Sequence, residues 1–121
     1  MHAQQIVEDF IAAWNRMDIA VAFAMMADDA VWHNIPMGPA KGMSEIQVVM
    51  AQFPPTEGIE FITHHIASNG NVVLTERTDK FLIDGKWRAL RVMGTFEIND
   101  AGKIQNWRDY FDMAEMQREF A

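Results

Sequence analysis

Apolar residues recur at helical spacing through the first third of the chain and at every second position through the last half. Ile6, Val7, Phe10, Ile11, Trp14 and Met17 place one apolar stripe on a helix over about residues 3–17. Asp18 reads as an N-cap, residues 19–27 as a second, mostly buried helix, and residues 30–35 as a short strand closed by Pro36 and the Gly38-Pro39 pair. Ser44 with Gln47 three residues on has the form of a capping box for a third helix. Its Ile46, Val49, Met50 and Phe53 share a face until Pro54-Pro55 stops it. From Ile59 the period becomes two, with turn chemistry at Asn69-Gly70-Asn71, Asp84-Gly85 and residues 99–102. This predicts a meander of four strands over about 59–67, 72–83, 87–98 and 103–112, then a short helix over 114–120. Helices segregated against one antiparallel sheet make an α+β domain. The length of the strands and Gly94 predict a curved sheet.

Charged residues stand on faces of this sheet that are otherwise apolar. Val73, Thr75, Arg77, Asp79 and Phe81 point to one side of their strand, and Trp107, Asp109 and Phe111 to one side of theirs. An aspartate between Trp and Phe on an inward face must be paired or carry a large desolvation cost. A two-residue loop at Asp84-Gly85 sets Asp79 opposite Leu90 and Arg77 opposite Val92. Symmetric closure by residues 99–102 then sets Val92 opposite Asp109 and Leu90 opposite Phe111. Arg77 and Asp109 share one row in that register, on the order of 10 Å apart between backbones. Two readings of this Asp-Arg-Asp set stand side by side: an ion-pair network that only orders the sheet, or a reactive site. The count favours chemistry, because an apolar pocket resists two negative charges against one positive. One aspartate then has a raised pKa and keeps its proton, which supplies an acid and a base together.

The composition narrows the class. At 121 residues without repeats or a Pro/Gly/Ser linker, residues 1–121 read as a single domain. Half of the residues are hydrophobic, yet no apolar run approaches the ~20 residues of a membrane span. The start Met1-His2-Ala3-Gln4-Gln5 lacks the pattern of a secretory signal, and there is no cysteine, so a soluble cytoplasmic protein is expected. A formal charge of −7 has the wrong sign for holding nucleic acid. The ten methionines are read as filling core and dimer interface. Alternation sends His64 and His65 to opposite faces, which argues against a shared metal site, and sends His33 away from Asn34. There is no nucleophile elbow, phosphate-cradling glycine loop or zinc-binding histidine pair on a helix.

Four segments carry a resemblance: Trp32-His33-Asn34-Ile35-Pro36, His65-Ile66-Ala67-Ser68-Asn69-Gly70, Thr75-Glu76-Arg77-Thr78-Asp79 and Trp107-Arg108-Asp109-Tyr110-Phe111-Asp112. In order and spacing over nearly the whole chain they resemble the limonene-1,2-epoxide hydrolases. The resemblance implies the cone-shaped fold of nuclear transport factor 2 and ketosteroid isomerase, usually dimeric. It also implies a cofactor-free opening of a small lipophilic epoxide by water to a vicinal diol, with no metal and no covalent intermediate. By the same resemblance Asp109 is the general base on water, Asp79 the general acid to the epoxide oxygen, and Arg77 the group orienting both. Asn34 matches an asparagine that holds the water, and Trp32 stands where the family has a tyrosine; an indole N–H donates but cannot accept. Family match and strand parity together place Phe81, Leu90, Val92 and Phe111 around the substrate. Two other functions fit this scaffold: an isomerase, dehydratase or cyclase, and a non-catalytic small-molecule-binding module.

Overall fold

The computed structural model describes residues 2–121. Helix α1 (Ala3–Asn15) buries Val7, Phe10, Ile11 and Trp14, the stripe read from the sequence. It stops two residues early, because Met17 turns into the left-handed region at φ 57° and its N–H bonds back to the Trp14 carbonyl at 2.9 Å. Met17 therefore leaves the stripe and is exposed. Asp18 does cap α2 (Ile19–Ala24), accepting from the Val21 N–H at 3.4 Å. That helix is shorter than expected and buries only Ala22. The cause is competition from the sheet: the Ile104 N–H bonds to the Met25 carbonyl at 2.9 Å, and Met26 pairs with Ile104. Strand β1 (Met26–Ile35) consequently takes residues that the periodicity had assigned to the helix.

A three-residue strand, β2 (Pro39–Lys41), was not anticipated and pairs with β1 through Trp32 and Ala40. The expected capping box is also absent. Gly42 is the N-cap of α3 (Met43–Met50), no side chain caps it, and Ser44 lies inside the helix. The corner dictates this, since Gly42 sits at φ 85° with its N–H on the Ala30 carbonyl at 2.7 Å, a conformation glycine adopts without strain. The helix ends at Met50, so Phe53 lies beyond it, 40% exposed.

The meander follows the predicted turns: β3 (Gly58–Asn69), β4 (Val72–Ile83), β5 (Lys86–Ile98) and β6 (Ile104–Tyr110), then α4 (Met113–Glu119). The meander is joined by β1 and β2 into a six-stranded, mainly antiparallel sheet in the order β2-β1-β6-β5-β4-β3. One pairing is parallel: β1 lies along β6 and sets Asn34 beside Asp109. Helix α1 crosses the inner face, where Phe10 meets Trp14, Phe96 and Trp107 edge-on at centroid distances of 5.8, 6.1 and 5.1 Å. At its C-terminus the Asn15 amide pins α1 to β3, accepting from the Phe61 N–H at 2.6 Å and donating to the Phe61 carbonyl at 3.2 Å. No helix among the described residues is long and apolar enough to cross a membrane.

The histidine alternation fails for a local reason. A register shift between Thr63 and His65 breaks the period in β3. His64 then lies 2.8 Å from the Thr78 hydroxyl and His65 3.8 Å from Glu76, so both face outward rather than to opposite sides. His33 Nε2 lies 2.8 Å from the Met37 carbonyl.

Candidate active site

Strands β4, β5 and β6 bring the three charged residues together on the inner face. Arg77 is 1% exposed and Asp79 and Asp109 5% each, values that such groups reach only when paired. Asp79 pairs with Leu90 and Arg77 with Val92, as the two-residue turn at Asp84-Gly85 requires. The third strand departs from the expected register. Asp109 pairs with Gly94 rather than Val92, and β6 ends at Tyr110, so Phe111 has no partner opposite Leu90. The loop is one residue longer, with Ile98 facing Ile104, and a shift between Glu97 and Ile98 adds a second. Two single-residue displacements leave the parity unchanged, so Asp109 still points inward.

The guanidinium of Arg77 is the hub. Its Nε and Nη2 donate to the two oxygens of Asp79 at 3.0 and 2.9 Å, and Nη2 also donates to Asp109 Oδ2 at 2.8 Å. Nη1 donates to the Thr75 hydroxyl at 2.9 Å, which in turn donates to the Gly94 carbonyl at 3.1 Å. The rings of Phe61 and Phe96 each stand 5.7 Å from the guanidinium carbon. The other oxygen of Asp109 accepts from the Trp107 indole N–H at 2.9 Å. Every side chain of this network sits at an inward position of its strand.

Gly94 is what lets the network close. A Cβ there would meet Arg77 Nη1 and Asp109 Oδ1 inside any real contact distance and would stand 3.1 Å from the Thr75 hydroxyl. The missing side chain is the opening through which Arg77 reaches from β4 past β5 to β6. Its place in the sequence fits a bend in the strand, but close approach is the specific requirement.

The electrostatics follow from one cation between two acids. Burial pushes the Asp109 carboxyl above the usual carboxylate range. Arg77 pulls it down, Asp79 pushes it further up, and the bonds from Arg77 and Trp107 lower it again. Burial works against the charge on Arg77, but the two carboxylates outweigh it and the guanidinium is held charged more firmly than in water.

Asn34 and Trp32 line a cavity of about 130 Å³ together with Met37, Val49, Gln52 and Phe53. The Trp32 indole N–H is buried and has no hydrogen-bond partner among the described residues. Leu90 and Val92 are buried beside the acids, while Phe81 and Phe111 are half-buried. None of these four walls the Trp32–Asn34 cavity. Phe81 instead packs on Phe61 and Phe120 at 5.6 and 5.9 Å. Sequence reasoning passed over Thr75, Gly94 and Trp107 as members of the site. Thr75 and Trp107 lay on the correct parity beside a charge, a signal that was available; Gly94 needed the register.

Residues 1–121 match the limonene-1,2-epoxide hydrolase catalytic domain family. Epoxide hydrolase EphG of Mycobacterium tuberculosis (strain ATCC 25618 / H37Rv) is 34% identical over 110 residues, which is 91% of this chain and 73% of that protein. A solved LEH-like epoxide hydrolase of M. tuberculosis superposes with a TM-score of 0.83 at 33% identity, covering 97% of this chain and 87% of that one. An NTF2-like protein of unknown function from Burkholderia pseudomallei K96243 superposes at 0.85 with 20% identity over 98% and 97% of the two chains, which speaks to the fold alone. The sheet, the network and these likenesses lead to one conclusion: the chain has the NTF2-like fold, belongs to the limonene-1,2-epoxide hydrolase family and is an epoxide hydrolase.

Proposed function

We propose that the enzyme opens a small lipophilic epoxide with water to a vicinal diol in one step, without a cofactor. Asp109 takes a proton from the attacking water while Asp79 protonates the departing epoxide oxygen. Arg77 orients both and holds the charge they exchange. Asn34, beside Asp109 in the β1–β6 register, and Trp32, with its unpartnered N–H, position the water. Leu90, Val92, Phe81 and Phe111 supply the apolar surroundings of the substrate.

The observation that carries this reading is the pair of aspartates bonded to one buried guanidinium. A carboxylate raised by burial is a stronger base than one in water, and its partner closes the proton inventory by giving up what the base collects. Each transfer by a positioned group contributes about 10²- to 10⁴-fold. After release of the diol the proton passes from Asp109 to Asp79, and Arg77 bridges the two sites between which it moves.

Terpene, cycloalkene and styrene oxides incubated with the protein alone, with diols separated by chromatography, test the activity and its substrate range. Asp79→Asn and Asp109→Asn are each expected to lower kcat/KM by at least about 10²-fold with folding retained. Activity in both variants near that of the parent contradicts the assignment.

Three further expectations belong to this reading: residues 1–121 as one domain, from length and the lack of a linker, a cytoplasmic location as the default, and a homodimer by the family resemblance. Leu74, Met93 and Tyr110, about half exposed on the outer face of the sheet with Met93 opposite Tyr110, support the dimer. Sedimentation at equilibrium decides it.

A further inference from the structure

The hydrogen bonds of Arg77 are divided unequally. Asp79 receives two of them, one on each oxygen, and Asp109 only one. By that count alone Arg77 supports an anion at Asp109 less well, the reverse of what the proposed reaction needs. Trp107 alters the count. Its indole N–H, 2.9 Å from Asp109 Oδ1, gives Asp109 a second donor, so that each carboxylate has a donor on each oxygen.

We infer that Trp107 is a positioning residue for the reaction: its N–H aims the Asp109 carboxylate and stabilises the negative charge Asp109 carries when water arrives. An indole nitrogen is a donor only, so it stabilises an ionised carboxylate more than a neutral one and cannot itself accept the proton. The residue is 4% exposed and its ring is held on four sides, by Phe10 and Trp14 from α1, Trp32 from β1 and Phe96 from β5. The N–H therefore has little freedom to turn away. The charged groups facing Asp109 are Arg77 and Asp79 from β4, while β5 presents Gly94 to it and β1 sets Asn34 opposite.

The competing explanation is that Trp107 only fills the core, which its ring contacts would satisfy without the N–H. Trp107→Phe separates the two, since it keeps an aromatic ring and removes the donor. A hydrogen bond to a charged group corresponds to about one unit of pKa or somewhat more, so the acid limb of kcat/KM against pH is expected to move up by about one unit. The plateau kcat is expected to fall as well, because the base is less firmly aimed. A filler role moves the melting temperature and leaves the limb where it was.

Should Trp107→Phe fail to fold, the parent enzyme carries the test. Its four indole N–H resonances, uniformly ¹⁵N-labelled, are assigned by elimination through Trp14→Phe, Trp32→Phe and Trp87→Phe. The Trp107 proton is expected to titrate with the midpoint of the kinetic acid limb and to stop titrating in Asp109→Asn. An unchanged limb in folded Trp107→Phe, or a Trp107 resonance that is flat across the same pH range, overturns the inference. It rests on Asp109 as the base, and the failures are distinguishable: full activity in Asp109→Asn sinks that assignment, whereas the indole titration requires no turnover.

Discussion

Gly94→Ala adds one methyl group at the point where Arg77 passes to Asp109. The new Cβ has no room, because Arg77 Nη1 and Asp109 Oδ1 already occupy its place and the Thr75 hydroxyl lies 3.1 Å away. Arg77 cannot retreat without releasing Asp79 or Thr75, which together hold its Nε, Nη1 and Nη2. The bond to Asp109 is the one that gives. Overpacking of this kind costs about 1–3 kcal/mol and the lost charge-assisted bond about 1.5–3, against about 0.4–1 kcal/mol recovered from a stiffer unfolded chain. The net loss is about 2–5 kcal/mol. At about 4 °C per kcal/mol for a chain of this size, the melting temperature falls by about 8 °C or more. A base displaced by about 1 Å lowers kcat/KM by about 10²-fold. Thermal melts and initial rates on the best epoxide of the panel measure both effects. A melting temperature within about 2 °C of the parent with kcat/KM within about threefold refutes the argument that Gly94 exists for close approach.

Four further outcomes are expected. Thr75→Val strands Arg77 Nη1 without its acceptor and lowers stability by about 1–3 kcal/mol in urea titrations, with a parallel drop in kcat. The acid limb of kcat/KM lies above the ordinary aspartate value of about 3.9, because burial raises Asp109 and activity is lost as pH falls through that raised pKa. Stability runs the other way for this group: the folded chain binds the Asp109 proton more tightly than the unfolded chain. Its contribution is full below the unfolded value and declines as pH rises through the folded one, which melts of parent and Asp109→Asn across pH reveal as a difference. Asn15→Ala releases both bonds to Phe61, lowering the melting temperature by a loss of about 1–3 kcal/mol while plateau kcat stays unchanged.

Much of the site was legible because parity along a strand is robust. Arg77, Asp79 and Asp109 were placed on one face by counting alternate residues, and the two register displacements near Ile98 cancelled in parity. Which residue faced Asp109 was not legible, since the extra loop residue and the bulge leave no mark in composition. Gly94 could therefore be read as a bend but not as an opening. The N-terminal half was harder for a different reason. Residues 26 and 27 satisfy a helical pattern, yet the parallel pairing of β1 with β6 takes them into the sheet. That pairing spans some 75 residues of sequence and is invisible to any local window, and it is what sets Asn34 beside the base. Gly42 likewise displaced the Ser44 cap because the corner after β2 demands a backbone that serine does not favour.

In the proposed reaction water, activated by Asp109, attacks the epoxide directly while Asp79 supplies the proton. A single turnover in ¹⁸O-water, with enzyme in excess over epoxide and the diol examined by mass spectrometry, tests it most directly. Direct attack by water puts one heavy oxygen in the diol from the first turnover. A first-turnover diol with only light oxygen, its new hydroxyl drawn from an enzyme carboxylate, or an isomer that has gained no oxygen at all, contradicts it.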